Sequence, residues 1–247
     1  MKISIITVVY NGAKTIFNNI KSVNNQTYPD IEHIFIDGFS TDNSLNIIKS
    51  ESKRDSKFIS ELDNGIYDAM NKGVKIANGD FILFLNSDDI FYSDTTVYKI
   101  VEKLTASKAD VLYGNIFFIS NQKTVRKWIP GEYVKNKNKL SWHPPHPGLT
   151  VRKEIFYDVG LFDTSFSLSA DYDFILKLLK SNNYNFCYLN EVLVNMSVGG
   201  VTTTISGMYH GVFQIFRSHR KNGDSFLLTL LILFNRYKNK IIQTLNK

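Results

Sequence analysis

The tetrad Asn86-Ser87-Asp88-Asp89 follows the apolar run FILFL at 81–85, so two adjacent carboxylates stand where a buried strand ends. Carboxylates in that position suit a hard divalent cation, because Mg2+ or Mn2+ takes a few of them and completes its shell with substrate oxygens. Other oxygen-bearing side chains occupy equivalent places. Thr7, Tyr10 and Asn11 lie at the end of ISIITVV, Asp37 closes IEHIFID, and Glu61 and Asp63 end or follow FISEL. A crevice lined by acids and almost devoid of bases is a poor direct host for a phosphate, but it holds a cation that bridges to one. The Asp88-Asp89 pair also fits a helix N-cap with a second acid favoured by the helix dipole, and the pattern alone leaves both readings open.

The remaining candidate acids lie in Ser169-Ala170-Asp171-Tyr172-Asp173-Phe174. Asp171 opens a helix carrying Phe174, Ile175, Leu178 and Leu179, so it is either an N-cap or a general base on the far side of the same crevice. Asp173, His146 and Arg152 are candidate contacts to an acceptor or a diphosphate, with Lys153 and Arg217 as further bases. His143 and His146 are three residues apart, but Pro144-Pro145 forbids the helix that would converge them on a metal. His146 is therefore read as a loop residue that contacts substrate. The first turn, Tyr10-Asn11-Gly12-Ala13-Lys14, matches neither a dinucleotide fingerprint nor a P-loop, and no G-x-S-x-G elbow occurs. Cys187, the single cysteine, sits in an apolar run and reads as an inert core thiol.

Strands and helices alternate through the first half and would position these groups. Strands are expected at 3–9, 31–37, 58–62 and 81–85, with helices near 13–25, 43–53 and 66–77 between them, and Ser40 or Thr41 capping the second helix. Such β-α-β order argues a parallel sheet with helices on both faces, whose ligands sit beyond the carboxyl ends of the strands. After Ser93 a helix near 94–105 precedes a strand pair, 111–120 and 124–129, joined by Asn121-Gln122-Lys123. The segment 142–148 is a rigid proline-rich loop. A strand and helix follow at 149–159, then a turn at 160–163 and the helix after Asp171. NFCYL and VLVNMSV are two further strands, and Gly199-Gly200 ends the compact part.

The 247 residues are 43% hydrophobic and 21% charged, which fits a packed globular domain and excludes disorder as the main state. The net charge is +6, and its location is informative: from Arg217 onward there are seven basic residues and one acid, so the excess belongs to the tail. That distribution argues against nucleic acid and for an anionic surface met at one end of the molecule, or for a solvated tail. The run FLLTLLILF at 226–234 is too short to span a bilayer, but followed by Arg236, Lys238 and Lys240 it suits an interfacial helix as well as one packed on the domain. The amino terminus does not read as a signal peptide, and a cytoplasmic location is expected.

In order and spacing, ISIITVVYNG (3–12), IEHIFIDGFSTDNS (31–44), SELDNGIYDAMNKGVKIANGDFILFLNSDD (60–89), HPGLTVRKEIFYDVGLFD (146–163) and SADYDFILKL (169–178) resemble the family 2 inverting glycosyltransferases of bacterial surface-polysaccharide synthesis. The resemblance implies an α/β GT-A fold with a mostly parallel central sheet, helices on both faces and a C-terminal helical extension. It implies a nucleotide-binding half at about 1–93, an acceptor-binding half at about 94–216, and a basic amphipathic tail at 217–247. By the same resemblance Thr7, Asp37 and Asp63 hold the nucleoside of a UDP-sugar, Asp37 taking the base, with Tyr10 and Asn11 at the end of the first strand as further nucleotide-sugar contacts. Asn86-Ser87-Asp88 stands at the D-x-D position, with Asn86 at the ribose and Asp88, next to Asp89, on Mn2+ or Mg2+. Asp171 falls at the catalytic base, although the usual preceding glutamate is Ala170. The implied acceptor is a lipid-linked saccharide of O-antigen, capsule or exopolysaccharide synthesis, met by a peripheral protein at the inner membrane face, with a homodimer left open. The alternatives are a metal-dependent phosphoryl-transfer enzyme and a non-catalytic nucleotide-sugar-binding or membrane scaffold protein.

Overall fold

The computed structural model describes residues 1–134, 142–198 and 205–245. Gly199 and Gly200, expected to close the compact part, lie outside the described residues. The first four long strands, β1 (Ile3–Val9), β2 (Ile31–Asp37), β3 (Asp55–Ser60) and β4 (Phe81–Phe84), pair in parallel in the order 3-2-1-4. Helices α1 (Ile16–Asn24), α2 (Ser44–Glu51) and α3 (Ile66–Ile76) make the crossovers. β1, β2 and β4 are buried at every position because helices cover both faces, and this is why they read as predominantly apolar rather than alternating. The two-residue period sorts their side chains. Ile6, Val8, Ile82 and Phe84 join one core layer, and Ile3, Ile5, Phe81 and Leu83 join the opposite one.

Beyond β4 the sheet becomes mixed. β5 (Ile90–Phe91) and α4 (Thr96–Ser107) lead to β6 (Val111–Ser120), which forms a hairpin with β7 (Lys123–Trp128). β8 (Leu149–Arg152) inserts antiparallel between β4 and β6, and β9 (Phe186–Ser197) runs parallel to β6 as one strand rather than the expected two. β5 pairs with β9, so the sheet is continuous across the expected division at residue 93. The short α5 (Ile155–Asp158) and the longer α6 (Ala170–Ser181) complete the layer that holds α3. Gly73 permits α3 to approach β1 closely: a Cβ there would lie 2.5 Å from Ile6 Cγ2.

The C-terminal segment is a helical pair, α7 (Ile205–Lys221) and α8 (Phe226–Leu245). The expected tail boundary at 216/217 falls inside α7. This pair docks on α6 through Tyr172, Ile215 and Leu233. Asp173 is fully buried at that joint, where Oδ1 accepts from Ser218 Oγ (2.7 Å) and Asn222 Nδ2 (2.8 Å) and Oδ2 pairs with Lys177 (2.8 Å). Asp173 is thus an anchor for α7 and not the acceptor or diphosphate contact expected of it, because one helical residue after Tyr172 points it at the docked helix. Among the described residues, no helix is long and apolar enough to cross a membrane.

Candidate active site

The carboxyl ends of β1, β2 and β4 open at one edge of the sheet, and the loops after them are tied together. Asn11, held at a φ of 51°, donates its N–H to Ser40 Oγ (2.8 Å) and accepts from the N–H of Thr41 at Oδ1 (2.9 Å). Gly12 N donates to Ser44 Oγ and Ala13 N to Asp42. Asn11 is therefore a scaffold residue of the β1 and β2 loops. Ser40 takes part in that loop network, and the residue before α2 is Asn43.

Asp37 is fully buried at the end of β2. Its Oδ2 accepts from Ser60 Oγ (2.6 Å) and the Ser40 N–H (3.1 Å), while Oδ1 has no partner in the protein. Burying a carboxylate oxygen without a partner is costly, so Oδ1 is an acceptor in want of a donor. Beside it, Tyr10 is 70% exposed, and Asp63 accepts 2.6 Å from Lys72, which also pairs with Glu61. Gly38 keeps the space between them open: a Cβ there would stand 3.0 Å from Asp63 Oδ2 and 3.5 Å from the Tyr10 ring. These acids push Lys72 well above the usual lysine range.

Thr7 stands differently from expectation. It is fully buried, and its hydroxyl donates to Leu85 O (2.8 Å) and meets His33 Nε2 (2.9 Å). Thr7 therefore braces β1 against the turn after β4 and has no exposed surface to offer a nucleoside. Asn19 of α1 completes the brace, donating through Nδ2 to the carbonyls of Asn86 (2.8 Å) and Asp89 (3.0 Å). An asparagine on the apolar face formed by Ile16, Ile20 and Val23 was the signal for this role.

In that turn the two aspartates part company. Asp88 is exposed, yet the surrounding wall displaces enough water to hold its carboxyl above the usual range. Asp89 is 1% exposed; it accepts from the Ser197 N–H of β9 (3.1 Å) and from Asn86 Nδ2 (3.2 Å), and burial with the neighbouring Asp88 charge pushes it to about 8. Asp89 therefore ties β9 to the turn, which corrects its assignment as a metal ligand: both oxygens are already engaged with protein donors. Asn86 Oδ1 is buried without a partner, and Ser87 Oγ stands 3.3 Å from a Cβ built on Gly12. Among the described residues, no three His, Cys, Asp or Glu side chains form a metal cage. The arrangement fits a cation held by Asp88 and completed by ligand oxygens.

Asp171 lies in the first turn of α6, after Ser169, and its Oδ1 accepts from Tyr67 Oη of α3 at 2.8 Å. Tyr67 is 8% exposed, and burial beside Asp171 raises its phenol well above the usual range, so it remains a donor. His146 stacks on Phe84, the last residue of β4, at 5.2 Å, and burial lowers its pKa against the opposing pull of the Asp171 charge. The β4 end, His146 and Asp171 are thus neighbours. His143 faces elsewhere, toward Trp128, Tyr172 and Arg236.

Arg152 is not at this edge. β8 runs antiparallel to β4, so Arg152 pairs with Phe81 at the opposite end of the sheet, where it bonds Asp110 (3.2 Å) and covers the Phe81 ring. Arg152 therefore does not reach the strand ends where a diphosphate contact was expected of it, and Lys153, which donates to Ala77 O, shares that remote end. Arg217 binds Ser165 on the surface.

Comparison with known proteins bears on this arrangement. A PGL/p-HBAD biosynthesis glycosyltransferase of Mycobacterium bovis is 28% identical over 207 residues, covering 82% of this chain and 79% of the relative. An uncharacterized glycosyltransferase of Mycobacterium tuberculosis is 30% identical over 238 residues, covering 90% of this chain and 83% of the relative. Staphylococcus aureus TarS, residues 1–349, in complex with UDP, superposes with a TM-score of 0.70 at 21% identity, over 96% of this chain and 71% of that one. The mannosyltransferase PcManGT of Pyrobaculum calidifontis, in complex with GDP-Man and Mn2+, gives 0.68 at 15% identity, over 96% and 69%. The GT-A fold is the one expected, and of the readings open from the sequence these findings select glycosyl transfer. The glycosyl transferase family 2 model matches residues 4–168, and the chain belongs to that family of glycosyltransferases.

Proposed function

We propose that this glycosyltransferase moves a sugar from a UDP-sugar to a hydroxyl of a lipid-linked saccharide, in one displacement with inversion, as a peripheral protein at a membrane surface. The observation that carries the donor half is the pair of buried acceptor atoms without protein partners, Asp37 Oδ1 and Asn86 Oδ1, at the ends of β2 and β4. Uracil offers an imide N–H to the first and a ribose offers hydroxyls to the second, which relieves the cost of burying both. Tyr10 gives an exposed ring for the base, and Lys72 fixes Asp63 beside it. The crystallised neighbours in complex with UDP and GDP-Man support a nucleoside diphosphate donor.

Asp88 is the group that would hold a divalent cation, which supplies charge neutralisation for the departing diphosphate. Asp171 takes the proton from the acceptor hydroxyl as that oxygen attacks the anomeric carbon from the face opposite the diphosphate. Tyr67 holds Asp171 through one oxygen and leaves the other for this proton. His146 over Phe84 forms an apolar floor that keeps water from competing with the acceptor. No covalent sugar–enzyme bond is required, since a single base suffices for inversion.

The basic C-terminal pair supports the membrane setting: Leu227, Leu230, Leu231 and Phe234 of α8 are exposed and Lys238 follows. The test is incubation with a panel of UDP-sugars, Mn2+ and undecaprenyl-diphosphate saccharides, reading the new linkage by NMR. A product anomer opposite to that of the donor bears the reading out. A retained anomer, or consumption of GDP-sugars alone, contradicts it.

A further inference from the structure

We propose that a second cavity, lined by Tyr172 next to Asp171, binds a hydrocarbon chain belonging to the acceptor; this rests on the lipid-linked acceptor proposed above. The cavity, about 500 Å3, lies between α6 and α8 beside the segment that begins at Trp142. Its apolar wall is Trp142, Ile175, Leu176, Leu179, Leu228 and Ile232. That volume falls within the range of ordinary small-ligand sites.

The polar groups at its margin are matched to one another. Tyr172 Oη meets His219 Nε2 at 2.7 Å, His219 Nδ1 meets Asp224 at 2.7 Å, and Asp224 pairs with Lys180 at 2.7 Å. Among the described residues, none of the buried polar atoms without a partner belongs to this wall, whereas the donor crevice has two. The crevice therefore selects a polar ligand and the cavity an apolar one.

Two short rigid links join the cavity to the reaction centre. Tyr172 on its margin is the residue after Asp171, and His143, also on its margin, is separated from His146 only by Pro144-Pro145. Three residues of chain span at most about 11 Å, so a molecule whose hydroxyl lies at Asp171 reaches the cavity with a short tail. An exit is also provided. α8 turns Ile232 inward and Leu227, Leu230, Leu231 and Phe234 outward, the last four 45–78% exposed, so an apolar track continues from the cavity over the outer face of the helix. A long chain with its head at Asp171 would pass through the cavity and leave along that track, toward the surface that Lys238 marks as basic.

The test uses the full chain with Trp128→Phe, which leaves Trp142 as the sole tryptophan, and titrates it with monomeric octyl, decyl and dodecyl glucosides brominated on the chain, below their micelle concentrations. Saturable quenching of Trp142 that tightens about tenfold for each two methylenes is expected, from about 0.8 kcal/mol per buried methylene. Leu176→Phe from α6 and Leu228→Asp from α8 each weaken dodecyl glucoside binding tenfold or more, with UDP affinity and Tm close to those of the parent. Three results would overturn the assignment: no saturable quenching by the monomers, unchanged affinity in both folded variants, or quenching only by brominated phosphatidylcholine–phosphatidylglycerol vesicles. The last would make the occupant a membrane lipid chain and not the acceptor's. Absence of UDP binding in the parent would instead contradict the proposed UDP-sugar donor, so the two failures are separable.

Discussion

Tyr67 Oη of α3 donates a 2.8 Å hydrogen bond to Asp171 Oδ1 of α6, joining two helices that are 104 residues apart in sequence. The bond ties the helix that crosses between β3 and β4 to one from the later, mixed half of the fold through a single carboxylate. It engages Oδ1 of Asp171 and leaves Oδ2 outside that bond.

Replacing Asp171 by Asn is expected to lower kcat about 100- to 10,000-fold, the usual contribution of a general base, with UDP affinity within twofold of the parent. Tyr67→Phe removes only the donor. Without that bond the carboxylate is no longer held by α3, so kcat falls about tenfold or less while KM and UDP affinity stay close to those of the parent. Steady-state kinetics on both variants check this. An unchanged kcat in Tyr67→Phe would remove Tyr67 as a positioning residue.

The Thr7–His33 contact leads to a pH prediction for stability. Thr7 donates its one hydroxyl proton to Leu85 O, so His33 Nε2 must carry the hydrogen, and Nδ1 is buried without a partner. Protonating Nδ1 would bury a charged N–H with nothing to accept it, and burial lowers the His33 pKa from the ordinary 6.5 to about 3. The folded state thus refuses a proton that the unfolded chain takes. This contribution is full above pH 6.5 and is lost as pH falls from there toward 3, at a slope of up to about 1.4 kcal/mol per pH unit. His33→Gln keeps a donor toward Thr7 and cannot titrate, so urea denaturation from pH 7 to 5 should give a flatter curve for it than for the parent.

Arg152→Ala is expected to leave kcat and KM unchanged and to cost about 1 kcal/mol or less, as befits a half-exposed ion pair with Asp110. Asp173→Ala behaves in the opposite way. It strips a fully buried anchor of three partners and should lower stability by about 3 kcal/mol or more, loosening α7 from α6. Paired thermal melts and kinetics separate the two. A kinetic defect in Arg152→Ala at unchanged Tm would return that arginine to the site.

The contrast between Arg152 and Asp37 shows what the sequence can carry. Asp37 ends a β-branched, mostly apolar run in a β-α-β series, where the crossover rule fixes strand direction, so its place at the carboxyl edge of the sheet follows from order alone. Arg152 ends a run of the same appearance, but β8 is antiparallel, and nothing local to residues 149–152 states that direction. Asp88 and Asp89 are likewise equivalent in sequence, and only β9, arriving more than 100 residues later with the Ser197 N–H, decides which one is buried. Thr7 was misplaced because a strand covered on both faces offers no alternation to separate core from crevice. The two-residue β5 is too short to show any period. Asn19 and Tyr67 act through partners far along the chain, so their roles appear only once α1 and α3 are packed.

Calorimetric titration of UDP with and without Mn2+, on the parent and on Asp88→Ala, tests the proposed UDP site of Asp37, Asn86 and Asp88. Binding is expected to be tight and Mn2+-dependent in the parent, and in Asp88→Ala to lose that dependence with at least a tenfold drop in affinity. Absence of UDP binding under either metal condition, or Mn2+-dependent binding of equal strength in Asp88→Ala, would contradict it.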